Sequence, residues 1–160
     1  MKLTKVDNQP VTTLINPYQR SMKVTLQRLN DAVHFEAKNE DGNTIHLDGS
    51  PEVGGEGKGV RPMQALLMSL AGCSSIDVVS LLKKMRQPLE DMRVEVNGER
   101  VDAVPAVFDK IHLQFFLKGK LDEAKVAKAI GMSVEKYCSV ARMLDKAAEI
   151  TWGFEIESPS

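Results

Sequence analysis

The sequence predicts an α+β fold, and three observations carry that expectation. Short runs of period-two alternation stand on either side of the chain's middle, turn signals separate them at close spacing, and one long uncharged helical stretch lies between. Strands grouped apart from helices, rather than alternating with them one for one, are the pattern of an α+β domain. At 160 residues and 17.7 kDa the chain is of single-domain size, and residues 1–160 are read as one domain.

Residues 1–20 hold Pro10 and Pro17 and no sustained period, which predicts an irregular arm or a short docked strand. Met22, Val24 and Leu26 alternate as a first strand, and Val33, Phe35 and Ala37 as a second, joined through Leu29-Asn30-Asp31. Asp41-Gly42-Asn43 is a turn signal, Thr44 to Leu47 a third strand, and Asp48-Gly49-Ser50-Pro51 its end, so an antiparallel meander is expected. Residues 53–59 carry four glycines in seven and exclude regular structure there.

Pro62 suits the first turn of a helix and Pro88 stops one, which predicts a helix from Pro62 to Lys84. Its first part, through Ile76, is uncharged and is expected to be buried, but Gln64, Ser69, Gly72, Ser74, Ser75, Asp77 and Ser80 interrupt it too often for a bilayer span. The small residues Ser69, Ala71, Gly72, Cys73 and Ser74 leave room for a second helix.

Met92, Val94 and Val96, then Ile111, Leu113 and Phe115, predict a second antiparallel pair across the turn-prone Val101 to Pro105. Leu121-Asp122-Glu123 opens a helix whose apolar face is Val126, Ala127 and Ile130 and whose expected end is Gly131. Ser133-Val-Glu-Lys136 reads as a fresh helix start, which places Cys138 in the early turns of a helix reaching about Ala148. Ile150, Trp152, Phe154 and Ile156 alternate as a terminal strand.

Charge excludes some functions. Lys plus Arg number 21 against 22 Asp plus Glu, a net charge of -1, so neither nucleic acid nor a membrane surface is expected as a partner. The first residues have neither signal-peptide nor transit-peptide character, and a cytoplasmic location is expected. His34, His46, His112 and the two cysteines show no zinc spacing, and the glycine-rich loop lacks GxxxxGK[ST], so no metal and no cofactor is expected. His112, facing opposite to Ile111 and Leu113, reads as a surface histidine.

Cys73 and Cys138 are then either packing residues or chemistry. A helix start at Cys138 would favour its thiolate, and the glycine-rich loop before Cys73 would admit a substrate.

The stretch Gly59-Val-Arg-Pro-Met-Gln-Ala-Leu-Leu-Met-Ser-Leu-Ala-Gly-Cys73-Ser-Ser-Ile-Asp77, with Leu81-Leu-Lys-Lys-Met-Arg86 after it, is one half of a resemblance. Phe108-Asp-Lys-Ile-His112, the run Leu121 to Ile130, and Ser133-Val-Glu-Lys-Tyr-Cys138-Ser-Val are the other half. Together they resemble the OsmC/Ohr family of osmotically induced and organic hydroperoxide resistance proteins, from about Met22 to Ile156. The family core is thus expected over residues 22–157, with 1–21 as an N-terminal arm.

The resemblance implies two antiparallel sheets packed around two central helices in an intertwined homodimer, with active sites at the interface. It implies a thiol-dependent peroxidase of oxidative stress defence. Cys73 would attack an organic hydroperoxide and become a sulfenic acid, Cys138 would resolve it as a disulfide, and a dithiol reductant would regenerate both.

One departure stands out. The peroxidase branches carry, ten residues before the first cysteine, a glutamate paired to an arginine from the first strand region, and here that position is Met63. The chain resembles a less characterised branch with Pro-Met at that place and Asp77 after the cysteine. Arg28, at the end of the first strand, and Glu56 or Glu52, in the glycine-rich segment, are the candidates to replace the couple. Asp77, one helical turn beyond Cys73, would discourage a thiolate if close and dry, or would cap or pair elsewhere. The alternative function is a dimeric small-molecule or sulfur-species binding protein without efficient peroxidase turnover.

Overall fold

In the computed structural model the described residues are 21–158, so the N-terminal arm lies outside them except for Ser21. The first sheet is the expected meander: β1 (Val24–Arg28), β2 (Phe35–Asn39) and β3 (Thr44–Leu47) pair antiparallel in that order, with Leu26 opposite Ala37 and Ala37 opposite Ile45. A short 3-10 turn, Pro51–Val53, begins the glycine-rich connection.

Helix α1 spans Pro62–Lys84 as its proline boundaries predict. Pro62 occupies the first turn, where its missing N–H costs nothing, and the Gln64 side chain accepts from the Arg61 backbone N–H at 3.0 Å. By length and composition α1 could cross a bilayer. Instead Leu70, Ser74, Val78 and Leu82 form a fully buried line into the core.

The second sheet has the order β4 (Leu89–Arg100), β5 (Phe108–Gly119), β6 (Glu149–Glu157). β4 extends beyond Met92 to Val96 because β5 offers it ladder partners along its whole length. Ile111, Leu113, Phe115 and Leu117 of β5 point inward and are buried beneath α1 and beneath Val126, Ala129 and Ile130 of α2 (Glu123–Met132). β4 and β5 are antiparallel as expected, but β6 runs parallel to β5, so this sheet is mixed rather than wholly antiparallel. A parallel partner requires a crossover, and the segment from Leu121 to Ala148 supplies it.

The crossover corrects two expectations. Gly131 does not end α2: the helix passes through it to Met132 and runs on into a π-helical turn, Ser133–Tyr137. A Cβ at residue 131 would stand 3.4 Å from the Trp152 ring, an ordinary contact, so neither a helix stop nor lack of space explains the glycine. Ser133 is thus no new helix start; the next helix, α3 (Ser139–Leu144), begins only after Cys138.

The two sheets differ in what covers them. No residue of β1, β2 or β3 is buried, and Val24, Leu26 and Ile45 are exposed. The outward side of α1 is equally bare, with Met68, Val79 and Ile76 exposed, the last to 72%.

Candidate redox site

Cys73 lies mid-way along α1 and is partly buried; Cys138 is the N-cap of α3 and is fully buried. The fold brings these residues together, both as free thiols, with Cys73 close enough to bear on the Cys138 sulfur. The Cys138 sulfur also accepts from the Ala141 backbone N–H at 3.4 Å.

The electrostatics of Cys138 reverse the expectation drawn from a helix start. Burial, and after it the hydrogen bond with Cys73, push its thiol up to about 11. The backbone N–H groups of Ala141 and Val140 pull the other way and lose. A six-residue helix has little dipole to offer, and desolvating a thiolate costs more than two long hydrogen bonds return. Cys138 therefore keeps its proton at neutral pH. An open thiol beside a closed, protonated one is an asymmetric pair: the first can meet a solute, and the second can meet only the first.

Arg28 and Glu56 make their bonds elsewhere in the chain. The Arg28 guanidinium donates to the Ala32 carbonyl at 2.8 Å and to the Asp31 carbonyl, closing its own hairpin. Glu56 is in a salt bridge with Lys58 and accepts from Asn30 Nδ2 at 3.2 Å; the Lys58 ammonium holds its carboxyl below the usual range. Glu52 is exposed, and the neighbouring Ser50 side chain helps to hold its carboxyl below the usual range. Asp77 accepts from the Ser133 hydroxyl at 3.4 Å. His112 sits on the outer face of β5 with Nδ1 2.8 Å from Thr151 Oγ1.

Sequence reasoning passed over Asp48. It is 2% exposed, and its carboxylate accepts from the backbone N–H groups of Gly49 at 2.8 Å, Glu56 at 3.0 Å and Lys58 at 2.9 Å. These bonds, the one from Lys58 first, hold its carboxyl below the ordinary range. The glycine-rich loop is therefore fixed rather than free. Gly55 is needed because a Cβ there would lie 1.9 Å from the Gly49 carbonyl oxygen. An aspartate opening a Gly-Ser-Pro turn is the type that bonds the N–H groups ahead of it, and that was the available signal. Beside it, His34 is buried and its Nε2 lies 2.8 Å from His46 Nδ1.

Met63 lines a cavity of about 560 Å³ at the start of α1, together with Arg61, Gln64, Leu67, Arg100 and Phe108.

The fold is α+β, and it sets a half-open thiol beside a buried one where a long helix meets a sheet crossover. The chain belongs to the OsmC-like protein family, whose profile matches residues 55–153. It is 42% identical over 127 residues to Protein YhfA of Escherichia coli K12, covering 79% of this chain and 92% of that one. A hypothetical protein from Aquifex aeolicus VF5 superposes with a TM-score of 0.73 at 32% identity, covering 87% of this chain and 99% of that chain. The organic hydroperoxide resistance protein OhrB of Bacillus subtilis shares the fold at TM-score 0.59 and 17% identity, over 85% of this chain and 98% of that one.

Proposed function

We propose that this protein is a cytoplasmic, thiol-dependent peroxidase that reduces organic hydroperoxides in oxidative stress defence. The observation that carries the reading is the asymmetric cysteine pair, partly buried Cys73 beside buried, protonated Cys138. Cys73, as thiolate, attacks the terminal peroxide oxygen; the O–O bond breaks, an S–O bond forms, and the alkoxide leaves with a proton from solvent as the alcohol. The Cys138 sulfur then displaces the sulfenic oxygen, and its proton departs with that oxygen as water, leaving a disulfide. A dithiol reductant returns two electrons and two protons by exchange.

The same proposal makes the protein a homodimer. The bare β1–β3 sheet and the exposed Met68, Ile76 and Val79 face of α1 are apolar surfaces that a second copy would cover. The exposed sheet that carries Arg28, with Glu56 bonded beside it, would then reach the second copy, which is how either residue would come to face a thiolate.

Reduced protein mixed with cumene hydroperoxide is expected to consume the peroxide and two thiols within minutes, and Cys73→Ser to consume neither. Equal behaviour of the two proteins would sink the proposal.

Met63 favours a second reading, a dimeric protein that binds a small molecule or sulfur species without efficient turnover. In place of a carboxylate it contributes an apolar wall to a cavity that also holds Arg61 and Arg100. Met63→Glu discriminates: a large gain in peroxidase rate supports an enzyme, and no gain supports a binding protein.

A further inference from the structure

We propose that Ser133 is a positioning residue that clamps the two thiol-bearing segments into register; the proposal rests on the paired-thiol reading above. Ser133 bonds both segments at once. Its hydroxyl donates to the carbonyl of Ser74, the neighbour of Cys73 in α1, at 3.1 Å. Its own carbonyl accepts from the backbone N–H of Cys138 at 2.8 Å. One residue thus links the peptide beside one sulfur to the peptide that carries the other.

Three features say that the link is more than packing. Ser133 and Ser74 are fully buried, so no water competes for these bonds, and an alanine would fill the site without a polar group to satisfy. The hydroxyl has a second acceptor, Asp77 Oδ2 at 3.4 Å, one helical turn past Cys73, so its single proton is shared between two points that flank the thiol's own turn. The Ser133 carbonyl reaches Cys138 because the turn is π-helical; in an α-helix it would bond the N–H of Tyr137 and leave Cys138 out of reach. The irregular turn and the buried serine serve the same distance.

A clamp on the reduced pair raises the effective concentration of one thiol at the other. Diamide tests this without any peroxide. One thiol adds across its N=N bond, the second displaces the hydrazine, and two electrons and two protons pass to the nitrogen pair as the disulfide forms. Ser133→Ala is expected to leave iodoacetamide labelling of Cys73 unchanged and to close the disulfide about fivefold more slowly, the worth of one ordinary hydrogen bond. Its equilibrium constant against glutathione is expected to fall by a similar factor. Ser133→Thr, which keeps the hydroxyl, is expected to close faster than Ser133→Ala.

Closure of Ser133→Ala at the wild-type rate, loss of labelling in step with loss of closure, the reverse order of Thr and Ala, or failure of the wild type to form the disulfide would each overturn the clamp. Should Ser133→Ala not fold, hydrogen exchange on the reduced wild type decides: a protected Cys138 amide upholds the clamp, and exchange at an open-loop rate overturns it. Wild-type protein that closes with diamide but leaves cumene hydroperoxide intact defeats the peroxidase reading alone.

Discussion

The two sheets of this protein are built from similar strand patterns and end in opposite states. On β5, every second residue from Ile111 to Leu117 is buried beneath helices; on β1, Val24 and Leu26 alternate just as regularly and remain exposed. A period-two pattern announces that one face of a strand wants cover and does not say who provides it. For the second sheet the cover is in the same chain. For the first, the described residues bury no side chain of the three strands.

The largest expected effect tests the closed sheet. Phe115→Ala should cost about 3–5 kcal/mol by urea unfolding, the range for truncating a fully buried aromatic. A cost below about 1 kcal/mol would show that the second sheet is no better packed than the first.

Asp48→Ala strips three backbone N–H groups of their acceptor at the edge of the open sheet, and a drop of roughly 5 °C in Tm is expected by calorimetry. Because folding lowers this carboxyl, its stabilisation is present above the ordinary carboxylate value and is lost as pH falls below it through the lowered one. Asp48→Asn should therefore flatten the acid limb of the stability curve.

Leu26→Asp probes what covers the open sheet. Under the proposed homodimer it should weaken self-association about tenfold in sedimentation, whereas an unchanged profile would leave the sheet without a second copy.

Cys138 gives a smaller, pH-dependent effect. Folding raises its thiol from 9.0 to about 11, so its stabilisation is complete below the lower value and lost as pH climbs to the upper one. Wild-type stability should decline across that window more steeply than that of Cys138→Ala. Last, Lys110→Ala, which breaks an exposed pair with Glu99, should change stability by less than about 0.5 kcal/mol.

Much of this architecture could be read from local chemistry. Pro62 and Pro88 bracket α1, Asp41-Gly42-Asn43 turns β2 into β3, and the alternation of Ile150 to Ile156 marks β6. Pairing partners could not be read, because alternation is the same in a parallel strand and an antiparallel one, and β6 took the parallel place. Gly131 looked like a stop because glycine often ends helices, but the helix runs through it into the π-helical turn. Cys73 and Cys138 stood out in the sequence as candidates, but the raised thiol of Cys138 did not, since desolvation depends on neighbours that the sequence does not order. Asp48 and Ser133 were missed for a related reason. Each acts through backbone groups, and a backbone group carries no residue letter.

The parallel seat of β6 also decides when the crossover that carries Cys138 is closed. A chain is made from its N-terminus, and β6 follows that crossover, so Cys138 emerges while only the β5 end is fastened. Until Glu149–Glu157 has docked beside β5, the segment that carries Cys138 rests on α1 with its far end loose. A truncation that removes only this strand would leave both cysteines in the chain and that far end free to move.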